Sequence, residues 1–170
     1  MTPRPAKPGK QSRCSRAVRL RKVTEADLPV FYEHQADPEA FRMASFAARD
    51  YDAFMVHWHK IMQDRRVIVR TVIFEGRVAG NIVAFWRGET REVGYWIGRD
   101  YWGKGIATEA LSRFLRLVRG RPLYAGVAKH NLGSIRVLQK CGFVLSRDEG
   151  DEFILKLTGR RQPEAPNLRH

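Results

Sequence analysis

The densest concentration of chemistry in this chain is Tyr101-Trp102-Gly103-Lys104-Gly105-Ile106-Ala107-Thr108. It lies between a β-rich run and the start of a helical pattern. At a helix start several backbone N–H groups lack partners, and the positive end of the peptide dipoles faces outward. Gly103 and Gly105 let a phosphate approach those amides closely, and Lys104 adds a charge. Ile106, Ala107 and Thr108 supply the amides of the first turn. In its physics this is a pyrophosphate site. Spacing alone does not say which pyrophosphate. A Walker-type loop needs GxxxxGK[ST], whereas Lys104 is followed by Gly105. A dinucleotide fingerprint needs a third glycine where Thr108 stands. A glycine-rich turn that merely caps a helix stays open on this ground.

The elements that must position this loop follow from periodicity. Val18 and Leu20 alternate with Arg19 and Arg21, a short strand signal. Thr24 with Asp27 forms a capping-box-like start to a helix running to Ala36, which Asp37-Pro38 breaks. Residues 37–49 read as a loop or short helix carrying Phe41, Met43 and Phe46. Asp50 or Asp52 caps a second helix whose stripe is Phe54, Trp58, Ile61 and Met62. Three strands follow at 67–74, 78–86 and 91–97. The Gly-containing turns between them, at Gly76 and Gly88, make them antiparallel hairpins. The helix after the phosphate loop buries Ala107, Ala110, Leu111, Phe114 and Val118. It should end at Arg119, with Gly120 in the C′ position and Pro122 forbidding continuation. A strand at 123–128, a helix at 131–141 and closing strands at 143–146 and 152–157 complete the chain. The expected fold is α/β, a mixed sheet with helices packed on it, in the order β-α-α-β-β-β-α-β-α-β-β.

Composition narrows the class. The 170 residues suit one domain, and 44% apolar residues suffice for a core at this size. The longest uncharged run, 78–86, is far short of the ~20 residues of a membrane span. No apolar leader opens the chain, and Cys14 and Cys141 cannot make a disulfide framework, so a cytoplasmic setting is expected. The 31 basic and 18 acidic groups give +13. Residues 1–17 contribute five basic groups and no acid, and residues 158–170 a net +2, leaving +6 for the body. We therefore expect a basic disordered tail at 1–17, one domain at 18–157 and a flexible tail at 158–170. A basic tail of this kind can touch RNA or the ribosome, and is otherwise a solvated end.

Two runs carry a family resemblance. Val93-Gly94-Tyr95-Trp96-Ile97-Gly98, followed after two residues by Tyr101-Trp102-Gly103-Lys104-Gly105-Ile106-Ala107-Thr108-Glu109-Ala110-Leu111, resembles the acetyl-CoA motif of the GNAT N-acetyltransferases. Asn131-x-x-Ser134-x-x-Val137-Leu138-x-Lys140-x-Gly142-Phe143 resembles that family's second signature. The order of elements matches over residues 18–157. The most similar branch is the one that acetylates N-terminal alanine or serine amines of ribosomal proteins. Trp102 stands where the family's loop usually has Arg or Gln, with Gly105 and Ala107 at its two later small positions.

The resemblance implies acetyl-CoA as acetyl donor, a primary amine as acceptor, direct attack in a ternary complex and no metal. The best acceptor is a protein N-terminal α-amine. The alternatives are a small-molecule amine (polyamine, amino acid or antibiotic), or a basic RNA- or ribosome-binding module that keeps the fold without catalysis. The oligomer is a monomer or a homodimer. The strand at 91–97 should diverge from that at 123–128, leaving backbone groups of Trp96 and Ile97 for pantetheine. The diphosphate should rest on residues 103–108, with Asn131 both capping its helix and touching the cofactor. Glu92 is the candidate base, or else an exposed strand-end glutamate paired with an arginine such as Arg91. Some relatives carry a catalytic Glu where Gly126 stands and a Tyr acid where Leu138 stands. Ser134 is the matching candidate acid here, otherwise a first-turn helix residue. His130 can reach the acceptor site. His57 and His59 are two apart on a helix and cannot share a metal. Glu109 suits a structural place in the first turn of its helix, and Cys141 suits packing. The acceptor pocket should be lined by 37–49 and the final hairpin, with Phe41, Met43, Phe46 and Trp86 as candidates.

Overall fold

The computed structural model describes residues 17–44 and 49–159. The two expected tails lie almost entirely outside these residues, as do Cys14 and Phe46. The elements are β1 (Arg19–Arg21), α1 (Leu28–Ala36), α2 (Pro38–Arg42), α3 (Tyr51–Gln63), β2 (Ile68–Phe74), β3 (Arg77–Arg87) and β4 (Thr90–Ile97). They continue with α4 (Ile106–Leu117), β5 (Leu123–Ala128), α5 (Leu132–Lys140), β6 (Val144–Glu149) and β7 (Glu152–Leu157). The seven strands form one mixed sheet in the order β1-β2-β3-β4-β5-β7-β6. All neighbours are antiparallel except β4 and β5.

Helices cover both faces. Ile106, Leu111 and Phe114 of α4 and Leu138 of α5 pack with Val72, Ile82, Val93 and Leu155 on one side. Leu28 and Phe31 of α1 meet Phe54 and Trp58 of α3 on the other, with the Phe31 and Trp58 rings 4.8 Å apart. The expected α3 stripe is thus its core face. Asp50 caps α3 by accepting from the Ala53 N–H at 2.8 Å. Asp37 caps the extra short helix α2, accepting from Glu39 and Ala40, with Pro38 at the first helical position.

Two boundaries differ from expectation. α4 ends at Leu117, because Val118 turns extended and drops into the core. The cation at that end is Arg121, which donates to the carbonyls of Val118 and Leu115 at 3.0 and 3.2 Å. Gly120 keeps a left-handed φ of 87°, but in the turn beyond the helix. β6 runs on to Glu149; it is an exposed edge strand whose charged residues hide its pairing from any apolar alternation.

The start of the domain is held by a buried carboxylate. Asp27 accepts two hydrogen bonds from Arg21 at 2.6 and 2.7 Å, one from the Thr24 N–H at 2.9 Å and one from the Thr71 hydroxyl at 2.7 Å. It thereby ties β1, the start of α1 and β2. Burial pushes its carboxyl up, but these donors outweigh burial and hold it at about 2, below its ordinary 3.8. The unfolded chain therefore binds a proton there before the folded one does. Stability from this group is complete above pH 4 and is lost as pH falls through 2. In urea unfolding, wild type should exceed Asp27→Asn by about 2 kcal/mol at pH 6, and the gap should close by pH 2. An equal gap at both values would refute the coupling.

Candidate active site

β4 and β5 share a single parallel bridge, Glu92 with Tyr124. Beyond it the strands part around a cavity of about 690 Å³, lined by residues 93–97 on one side and 125–128 on the other. The Gly98 N–H bonds the Ala79 carbonyl at 2.9 Å, so the even-numbered residues of β4's end face β3. The Trp96 carbonyl points the same way. A Cβ on Gly80 would lie 2.0 Å from it, so this close approach requires glycine. The edge toward the cleft is therefore carried by Tyr95 and Ile97. The cleft edge expected of Trp96 and Ile97 is thus presented by Tyr95 and Ile97, while the Trp96 indole bonds the His34 carbonyl at 3.0 Å. The Ile97 carbonyl is also engaged, accepting the Trp102 indole N–H at 2.8 Å. That bond fixes the phosphate loop to the strand end.

The loop itself is built as a cradle. Gly103 and Gly105 have φ of 71° and 75°, and a Cβ on either would meet no protein atom within 4 Å. Both residues line the cavity, just before the start of the 12-residue α4. Gly103, Gly105, Ile106, Ala107 and Thr108 all line it. These residues fit a diphosphate. Lys104 does not line the cavity; its ammonium folds back onto the Asp100 carbonyl at 2.7 Å. Arg136 and Lys140, one turn apart on α5, supply cations to the cavity wall instead. Glu109 pairs with Arg113 at 2.8 Å, and buried Cys141 sits with its sulfur 3.5 Å from the Thr108 carbonyl.

The cavity is also lined by Ser134, His130, Asn131, Ala40, Met43 and Ala44. Ser134 is in the first turn of α5, its N–H capped by Asn131 Oδ1 at 3.0 Å. The Tyr95 hydroxyl donates to the Ser134 carbonyl at 3.5 Å, and burial pushes the phenol up to about 12, so it stays a neutral donor. Segment 37–49 and the final hairpin do line the cavity, through Ala40, Met43, Ala44 and Glu152, but of the individual candidates within the described residues only Met43 is there, Phe41 and Trp86 lying outside the lining.

Glu92 is not brought to this cavity. Its carboxylate accepts from Arg87 Nε at 2.8 Å across the β3–β4 hairpin, and it is absent from the lining. The carboxylate that does line the cavity, alone among the described residues, is Glu152 at the start of β7. It is paired with Ala128, and Oε2 lies 3.7 Å from where a Cβ on Gly126 would be. Gly126 thus leaves room that a carboxylate from the neighbouring strand fills. Glu92, Gly94, Gly126, Ala128 and Glu152 share one face of the sheet by register. Arg87 feels both acids: its guanidinium is raised first by the hydrogen bond to Glu92 and, more weakly, by the charge of Glu152. Sequence spacing could not find Glu152, because only the β5–β7 register brings it beside Gly126.

A family model described as an acetyltransferase (GNAT) domain matches residues 17–144. The chain belongs to the GNAT acetyltransferase family. Among solved structures, the chain is similar to a GNAT-family acetyltransferase from Bacillus anthracis, with 20% identity, a TM-score of 0.69 and coverage of 83% of this chain and 94% of that one. It is similar to a ribosomal-protein alpha-N-acetyltransferase in complex with coenzyme A, at 16% identity and TM-score 0.72, covering 85% and 96%. It is equally similar to an aminoglycoside acetyltransferase in complex with coenzyme A, at 18% identity and TM-score 0.72, covering 84% and 95%. No curated protein matches the chain. This GNAT domain is an acetyl-CoA-dependent N-acetyltransferase with a seven-stranded mixed sheet. Among the described residues no helix is long and apolar enough to cross a membrane.

Proposed function

We propose that this acetyltransferase acts on a primary amine carrying one positive charge, best a protein N-terminal α-amine, by direct attack on acetyl-CoA. The observation that carries this reading is the single carboxylate, Glu152, among the described residues of the cleft. One ammonium finds one partner there. A polyamine or an aminoglycoside would bring further cations and find only His130, Arg136 and Lys140. Neutralising the amine supports the same choice: at pH 7 it costs roughly 1 kcal/mol for an α-amine against about 4.6 for lysine. Glu152 takes over the proton-accepting role expected of Glu92, which is held by Arg87. Cleft-facing amides of β4 stabilise charge that develops on the thioester oxygen. Residues 103–108 hold the diphosphate. Turnover should be screened over serine- and alanine-initiated peptides, a peptide blocked at its N-terminus but bearing lysine, spermidine and an aminoglycoside. Faster acetylation of the polycations would overturn the reading.

Ser134 is assigned as the donor to the departing sulfur, since it lines the cavity at the start of α5. A leaving thiolate gains from a proton only as the C–S bond breaks. Ser134→Ala should lower kcat by about 10–100-fold, at or below the lower end of the range for general acids because a thiolate already leaves readily, with KM for acetyl-CoA nearly unchanged. A lowered melting temperature with normal kcat would instead assign Ser134 to helix structure alone.

A further inference from the structure

We infer that His130 and Asn131 are positioning residues for the acceptor, because they fix the end of α2 as one wall of its site. The inference rests on the acetyltransferase reading above. The last carbonyls of a helix have no partner inside it. α2 has five residues, and its buried side chain is Ala40 alone, while Phe41 is 37% exposed. Apolar packing therefore anchors it weakly. Two polar contacts do the rest, from residues 88 positions away in sequence. His130 Nε2 lies 2.9 Å from the Arg42 carbonyl, and Asn131 Nδ2 donates to the Met43 carbonyl at 3.0 Å. A carbonyl only accepts, so His130 carries its proton on Nε2. Ala40, Met43 and Ala44, the residues so held, line the cavity.

Asn131 also accepts the Ser134 N–H through Oδ1. One side-chain amide thus caps α5, on the donor's side, and holds α2, on the acceptor's side. An amide can do both, because it offers an acceptor oxygen and an N–H donor on one planar group. Asn131→Asp separates the two duties. It keeps the cap and sets an oxygen against the Met43 carbonyl. His130→Ala removes the companion contact without touching the cap.

The test uses the full chain, with acetyl-CoA and a serine-initiated hexapeptide as probes. Three quantities are read: acetyl-CoA affinity by calorimetry, amide hydrogen exchange over residues 38–44, and steady-state constants for the peptide. For Asn131→Asp we expect faster exchange over 38–44, a peptide KM raised about tenfold, the worth of one hydrogen bond, and acetyl-CoA affinity within about twofold of wild type. His130→Ala should shift the same two readouts in the same direction. Asn131→Ala loses the cap as well, and should weaken acetyl-CoA too. A weaker acetyl-CoA affinity in Asn131→Asp, with peptide KM and exchange unchanged, would overturn the inference and make Asn131 a donor contact. Unchanged KM in both single variants of an active enzyme overturns the clasp alone. A wild type that acetylates neither this peptide nor any other amine overturns the functional reading and the acceptor role with it.

Discussion

Gly105→Glu should abolish measurable acetyl-CoA binding in calorimetry while the protein stays folded. Three effects add. Gly105 sits at φ 75°, where any other residue is strained by about 1–2 kcal/mol. Its Cβ would occupy space that no protein atom fills within 4 Å, the space we assign to the diphosphate. The new carboxylate would then face phosphate charge across a short gap. At an effective dielectric near 20, two like charges 4 Å apart repel by about 4 kcal/mol. The steric clash and the repulsion together amount to about a thousandfold loss of affinity or more. Gly105→Ala brings the Cβ without the charge, and should lose about tenfold in affinity. Stability should fall by no more than the strain, because the side chain meets no protein atom. Unchanged affinity in the glutamate variant would sink the assignment of this loop.

Glu152→Gln should cut kcat for an α-amine peptide by about 10²–10³-fold, within the usual range for a lost general base. Glutamine keeps the shape and an acceptor oxygen but cannot take the proton. Acetyl-CoA affinity should be unchanged, since Glu152 lies on β7 beside Ala128 and Gly126 and is no part of the phosphate loop. Glu92→Gln should cost only a few-fold. Its effect is indirect: the Arg87 guanidinium, released from Glu92, becomes free to pair with Glu152. Charged groups near Glu152 include Arg87, which feels its charge, Glu149 opposite it on β6 with its partner Arg147, and the Lys129–Asp148 pair at the end of β5 and on β6. Single-turnover kinetics on both variants decides the matter. A larger loss for Glu92→Gln than for Glu152→Gln would return the base to Glu92.

The parts of this molecule that were legible in the sequence are those governed by local rules. The glycine pattern of 103–108, the Asn131 cap and the stripe of α3 depend on neighbours within one or two turns. The structure places all of them where those rules put them. What escaped depends on contacts between distant segments. Glu152 is a polar strand-end residue until β7 is registered against β5. The orientation of Trp96 is set by pairing with β3, which alternation along β4 alone cannot fix. The end of α4 was misplaced because Val118 prefers the core to one more helical turn, a tertiary preference over a local one. Lys104 has the right charge in the right loop, yet its chain length lets it close on its own backbone.

The parting of β4 from β5 has a consequence for the lifetime of the protein. The sheet consists of two panels, β1-β2-β3-β4 and β5-β7-β6, joined edge to edge by the one bridge at Glu92 and Tyr124 and further by α4, α5 and the bonds of His130 and Asn131 to the end of α2. A ligand wedged in the cleft supplies the mechanical continuity that missing rungs would have given. Such a ligand favours the assembled over the sprung-apart molecule by about 2.7 kcal/mol when present at a hundred times its dissociation constant. Acetyl-CoA abundance would then govern two things at once, how fast the enzyme turns over and how long each copy survives proteolysis.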